Sequence, residues 1–119
     1  MAPEMVFPVL GMIFVALAVP LATRRVPPNR WYGLRVPATF ADKTVWYDAN
    51  AAAGKDIVRF GVVATLIAVV LPHVARVRTE IYVLICAGVF GLGSLVLALR
   101  GWRLANRLLR QRRGGGGAA

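Results

Sequence analysis

The run IYVLICAGVFGLGSLVLAL, Ile81 to Leu99, holds nineteen residues and no charge. At ~1.5 Å rise per residue a helix of that length reaches about 29 Å, the thickness of a bilayer's hydrocarbon core. A chain of 119 residues with 58% hydrophobic residues has too little interior to hide such a run and its companions from water. The class is therefore all-α membrane protein, in a single domain.

Working outward, Met5 to Ala22 is a second uncharged run, with Pro8 near its start and Pro20 near its end, where a lost backbone bond is best tolerated. Ala16-Leu17-Ala18 has the small residues of a signal-peptide cleavage site. Glu4 and the lack of Lys or Arg ahead of the run favour a retained first span. Phe60 to Leu71 is interrupted only by Thr65 and is short for a crossing. It spans once Ile57 and Val58 join at one end and Val74 and Ala75 at the other, with Arg59 and His73 reaching toward the two interfaces. The expectation is three transmembrane helices at about 5–22, 57–75 and 81–99, separated by a long structured loop, 23–56, containing a short amphipathic helix.

Fifteen Lys plus Arg stand against five acids, a net charge of +10, and thirteen of the fifteen are Arg. Seven fall between Thr23 and Arg59 and six in the tail from Arg100 to Arg113, leaving only Arg76 and Arg78 in the other loop. By the positive-inside rule the long loop and the C-terminus of this multi-pass protein are cytoplasmic and the N-terminus is outside. Arginines that flank apolar runs suit anionic lipid headgroups better than nucleic acid, which is not an expected direct partner.

Ala87, Gly91, Ser94, Ala98, Gly101 and Ala105 step by four and three and share one helical face. Packing against the protein's own helices is the simpler use of that face; a homo-oligomer is the other. If the third helix continues as a basic tail helix over 100–113, Arg100, Arg103, Arg107 and Arg110 take one side and Trp102, Leu104, Leu108 and Leu109 the other. Such a helix can bend into the interface and bury its apolar side. The low-complexity end, 114–119, reads as a disordered tail.

The loop opens with PPNRWYGLRVP, Pro27 to Pro37. Pro27 and Pro28 stop the first helix, and Gly33 permits a turn that residues with a Cβ resist. Trp31 and Tyr32 are amphipathic side chains of the kind found at headgroup depth. Thr39, followed three residues later by Asp42, is an N-cap pattern that places a helix start near Phe40. Along that helix Val45, Trp46, Ala49 and Ala53 form an apolar strip, with Asn50 one turn beyond Trp46. The helix either lies on the membrane or runs on toward the second span.

Pro28-Asn29-Arg30-Trp31-Tyr32-Gly33-Leu34-Arg35, then Pro37, Thr39, and Trp46 and Asn50 in VWYDANAAAG, resemble the signature of the SdpI/YfhL family, small bacterial inner-membrane proteins named partly for the immunity protein against the sporulation-delaying peptide toxin. The resemblance covers roughly 9–99 and marks Asn29, Gly33, Arg35, Trp46 and Asn50 as motif positions, with Trp31 and Tyr32 between them. It implies a toxin-immunity or membrane signalling protein that binds a peptide toxin and a cytoplasmic regulator. The named immunity protein carries a further membrane region ahead of the motif, so family membership is implied more strongly than immunity. A membrane scaffold or accessory subunit, joined through the small-residue face of the third helix, is the alternative.

In chemical terms Arg35 offers a planar fork of donors for carboxylate or phosphate, while Asn29 and Asn50 both donate and accept. The same groups can simply tie the loop to itself and let Trp46 plug it onto the helices. No catalytic residue, metal site or cofactor is expected. His73 is the only histidine, no Ser or Cys stands at a nucleophile–base spacing, and Cys, Asp and Glu do not cluster. None of the three spans holds a central ionisable residue, which argues against a pump or channel.

Overall fold

The computed structural model describes residues 2–118, with side chains through Gly114. Its elements are α1 (Pro3–Ala22), α2 (Pro37–Ala41), α3 (Lys43–Val74) and α4 (Thr79–Ala118), with no strand among the described residues. α1, α3 and α4 are each long and apolar enough to cross a membrane. Their outward side chains, among them Met12, Leu17, Leu66, Leu84 and Leu92, are exposed and apolar, as a lipid-facing surface requires.

α1 and α3 run antiparallel along a seam of small residues. A Cβ on Gly54 would come within 2.6 Å of the Ala22 nitrogen and 2.9 Å of the Ala18 carbonyl oxygen, and one on Gly61 would meet the Val15 side chain at 2.7 Å. Backbones this close gain dispersion contacts that larger side chains would prevent, the packing available where water supplies no hydrophobic drive. α4 lies on the other flank of α3. There Phe60 covers Gly93, and the Tyr82 hydroxyl donates to the Ala68 carbonyl at 2.7 Å. α1 and α4 meet through rings, Phe7 with Tyr82 and Phe90, and Phe14 with Phe90 at 5.5 Å between centroids.

Two apolar clusters result. One joins Ala68, Tyr82 and Cys86 to Phe7, Leu71 and Val77 near the α3–α4 hairpin. The other, at the opposite end, joins Ala38, Val45, Ala49 and Ala105 to Leu34, Val36, Leu108 and Leu109.

Three local features differ from the sequence reading. α3 is one helix of 32 residues from the motif through the second span, so the apolar strip at Val45, Trp46 and Ala49 forms its first turns. Its N-cap is Asp42, whose carboxylate accepts from the amides of Thr44 and Val45. Thr39 instead lies inside the five-residue α2 that Pro37 initiates, and its hydroxyl accepts from the Val36 amide at 3.1 Å. The arginine-rich part of α4 continues the third span without bending into the interface. Gly101 and Ala105 are buried and Leu108 and Leu109 pack on α2 and α3, so its apolar side finds protein there. The expectation of disorder for 114–119 falls on the end of α4, where from 115 onward it lies outside the residues whose side chains are described.

The small-residue face of α4 divides in two. Gly101 receives Leu34, whose Cδ2 would stand 3.2 Å from an added Cβ, whereas Gly88 and Gly91 have nothing within 4 Å of theirs and Ala87 is exposed.

Candidate functional site: the motif strap and the cleft above it

The segment from Thr23 to Val36 crosses the end of the bundle as a strap pinned at both ends. α1 closes with paired bonds from the Arg25 amide to the Pro20 carbonyl and from the Arg24 amide to the Leu21 carbonyl. Arg24 occupies the left-handed position of this closure, φ 61°, where glycine is usual. Its guanidinium is anchored on Asp48 of α3 at 2.7 Å. Sequence reasoning assigned no role to Arg24; a basic residue just past the last apolar turn looks like any interfacial arginine.

Asn29 folds the next turn. Its Oδ1 accepts from the amides of Trp31 and Tyr32 at 2.8 and 2.7 Å, and its Nδ2 donates to the Pro27 carbonyl. Gly33 follows at φ 108°, and a Cβ there would stand 2.8 Å from Asn50 Oδ1. That approach lets Asn50, 2% exposed, hold both polar groups of one residue. Its Oδ1 accepts from the Leu34 amide, and its Nδ2 donates to the carbonyls of Leu34 and Trp46, at 3.3 and 2.9 Å. One side chain on α3 thereby replaces the strand or helix partner that an irregular segment lacks.

Trp46 is fully buried, with its ring 5.5 Å from that of Phe40 and its Nε1 donating to the Val26 carbonyl at 2.8 Å. Asn29, Gly33, Trp46 and Asn50 therefore meet in one structure as the fastenings of the strap. Arg35 does not join them. Its guanidinium lies on the surface and donates to the Arg30 carbonyl. Trp31 is 87% exposed and packs on nothing in the protein. Tyr32 is half-buried; its hydroxyl oxygen is out of reach of solvent without a hydrogen-bond partner, and burial pushes the phenol pKa up.

Ion pairs close the periphery. Asp42 meets Arg112 at 3.2 Å, and Asp56 meets Arg100 at 3.5 Å and Arg59 at 3.8 Å. For Asp42, desolvation pushes the carboxyl upward. The Arg112 hydrogen bond and the two backbone amides outweigh it and leave the pKa below its ordinary 3.8. The three aspartates of this end are thus all engaged. Among the described residues Arg25, Arg30 and Arg103 have no carboxylate within ion-pair distance.

Directly above the strap, α1 and α4 splay apart and leave a cleft of ≈ 330 Å³ with α3 as its back wall. Phe14, Leu17 and Leu21 line one side, Ser94, Leu97 and Ala98 the other, and Tyr32-Gly33-Leu34 form the floor. Among the described residues no group of three or more His, Cys, Asp or Glu could hold a metal ion, and His73 lies at the far end of α3 from the motif. The arrangement can bind and present.

A family model described as "SdpI/YfhL protein family" matches residues 25–101. That interval begins at the strap, runs through α2 and α3, and ends at Gly101, where Leu34 rests on α4. No curated protein and no solved structure matches the chain.

Proposed function

The chain belongs to the SdpI/YfhL protein family, and from that premise we propose that it is a membrane immunity or signalling protein that engages a peptide and a cytoplasmic partner. The strap side faces the cytoplasm of a bacterial inner membrane, in keeping with the thirteen basic residues gathered there.

The observation that carries this reading is a division of labour within the motif. Asn29, Gly33, Trp46 and Asn50 are consumed in fastening the strap, whereas Trp31 projects from it and Arg35, which spends one donor on the Arg30 carbonyl, keeps the rest of its fork at the surface. A rigid loop that presents an indole and a guanidinium is preorganised for an acidic or carboxylate-bearing partner, because little ordering entropy remains to be lost on binding.

Arg35→Lys and Trp31→Ala test it in toxin-sensitive cells that express the chain and are challenged with a sporulation-delaying-type peptide. Both variants should keep wild-type abundance and melting temperature and lose protection or recruitment of the cytoplasmic partner. Full protection by both variants would sink this reading.

A second reading has its own support. Ala87, Gly88 and Gly91 leave one side of α4 open to close approach by another helix. A scaffold that works through this face should lose its membrane partner on Gly91→Leu and keep every property of the strap.

A further inference from the structure

The cleft between α1 and α4 has a shape that excludes most occupants. Phe14, which lines it, packs on the rings of Phe60 and Phe90, and the strap residues Tyr32, Gly33 and Leu34 form its floor. Its walls are side chains of three helices that are each apolar enough to cross a membrane. An occupant must therefore be slender, apolar and resident in the bilayer.

Charge selects among such molecules. The cleft's floor, Tyr32-Gly33-Leu34, belongs to the strap; Arg25 and Arg30 lie in the same segment outside the lining, and the aspartates of this end are already occupied by Arg24, Arg59, Arg100 and Arg112. We propose that the cleft is a binding site for an anionic phospholipid: one acyl chain enters between Leu17 and Ala98, and the headgroup phosphate lies among the arginines of the strap. Seated there, the chain fills space that would otherwise cost dispersion contacts. The site rests on the membrane-spanning fold alone and is independent of any toxin or cytoplasmic partner.

Native mass spectrometry of the full chain, released from nanodiscs of phosphatidylglycerol or of phosphatidylcholine, tests the assignment. Ala98 is exposed, so Ala98→Trp fills the cleft without displacing a packed neighbour. The wild type should retain one more phosphatidylglycerol than Ala98→Trp and prefer it over phosphatidylcholine by about tenfold. Arg25→Gln with Arg30→Gln should abolish the preference while a lipid is still retained. Should Ala98→Trp fail to fold, Ser94→Cys treated with N-ethylmaleimide after folding blocks the same cleft, with the buried Cys86 left unmodified. Equal retention by open and blocked proteins overturns the site. Equal retention of the two lipids overturns the headgroup assignment, and a peptide or a second copy of the chain found in place of lipid overturns the occupant.

Discussion

Replacing Asn50 by alanine should release the strap while leaving the three spans in place. The side chain makes three hydrogen bonds in a site 2% exposed, and two of them go to the amide and the carbonyl of Leu34. The Trp46 carbonyl keeps its helical partner, so the net loss concentrates on Leu34. A buried backbone group left without a partner costs about 1–3 kcal/mol. The Leu34 carbonyl is also within reach of the Thr39 hydroxyl at 2.9 Å, which cushions one of the two losses. The working figure is thus about 2–4 kcal/mol, one full penalty for the amide and a partial one for the carbonyl. Read as local opening, that raises the hydrogen-exchange rate of the Leu34 amide roughly 30- to 1,000-fold. Exchange in detergent, followed by mass spectrometry of peptides covering 26–42, reports it directly, with peptides from α1 and the second half of α3 as internal references. Asn50→Asp sharpens the test: it preserves an acceptor for the Leu34 amide and turns the donor into an oxygen facing two carbonyls. It should also open the strap, and more so as the new carboxyl ionises. Unchanged protection of Leu34 in both variants would refute the idea that Asn50 is the main fastening.

Gly54→Ala should lower the melting temperature, because about 1–3 kcal/mol of overpacking against the α1 backbone outweighs at most about 1 kcal/mol of gained helix propensity; an unchanged value would mean the α1–α3 seam is looser than 2.6 Å implies. Single cysteines at the exposed positions Lys43 and Thr79 should react with an impermeant reagent from opposite sides of the membrane, Lys43 from the cytoplasm; reaction from one side removes the crossing assigned to α3. The depressed pKa of Asp42 sets the sign of an acid effect: its ion pair with Arg112 stabilises fully above the unfolded value near 3.8 and is lost as pH falls through the lower folded value. The melting temperature of Asp42→Asn, which can still cap α3, should therefore lie below wild type near neutrality and converge with it in acid.

The spans were legible because hydropathy over some twenty residues is a signal that no tertiary contact can reverse. The motif was legible as a set of unusual residues, and its members do meet in space apart from Trp31, which turns outward, and Arg35, which holds the Arg30 carbonyl at the surface. Their individual bonds were not legible. Asn50 reaches Leu34 across sixteen positions, and nothing local says which of the strap's amides it will hold. The α1–α3 seam was available in principle, since Gly11 and Ala18, and Gly54, Gly61 and Ala68, repeat every seven residues. The small-residue series on α4 is longer, yet it packs at only one end. The helix start near Phe40 failed because two short-range signals competed: Pro37 nucleates its own turn, and Asp42, extended at φ −149°, breaks it and caps the next. The cleft could not have been read at all, because it arises from the splay between two helices whose sequences are equally apolar.

α4 contains no proline and runs unbroken from Thr79 to Ala118, so its two ends move as one beam. The ring of Phe60 seated on Gly93 makes a natural fulcrum near its middle. From Gly93 to Arg113 the beam extends about 30 Å at ~1.5 Å per residue, so a tilt of about 5° carries the arginine end sideways by nearly 3 Å. The Thr79 end swings the opposite way by a smaller arc. A tilt of that size would lengthen the Arg112–Asp42 pair and shift Gly101 beneath Leu34, so the position of the hairpin and the fit of the strap are tied through one stiff element.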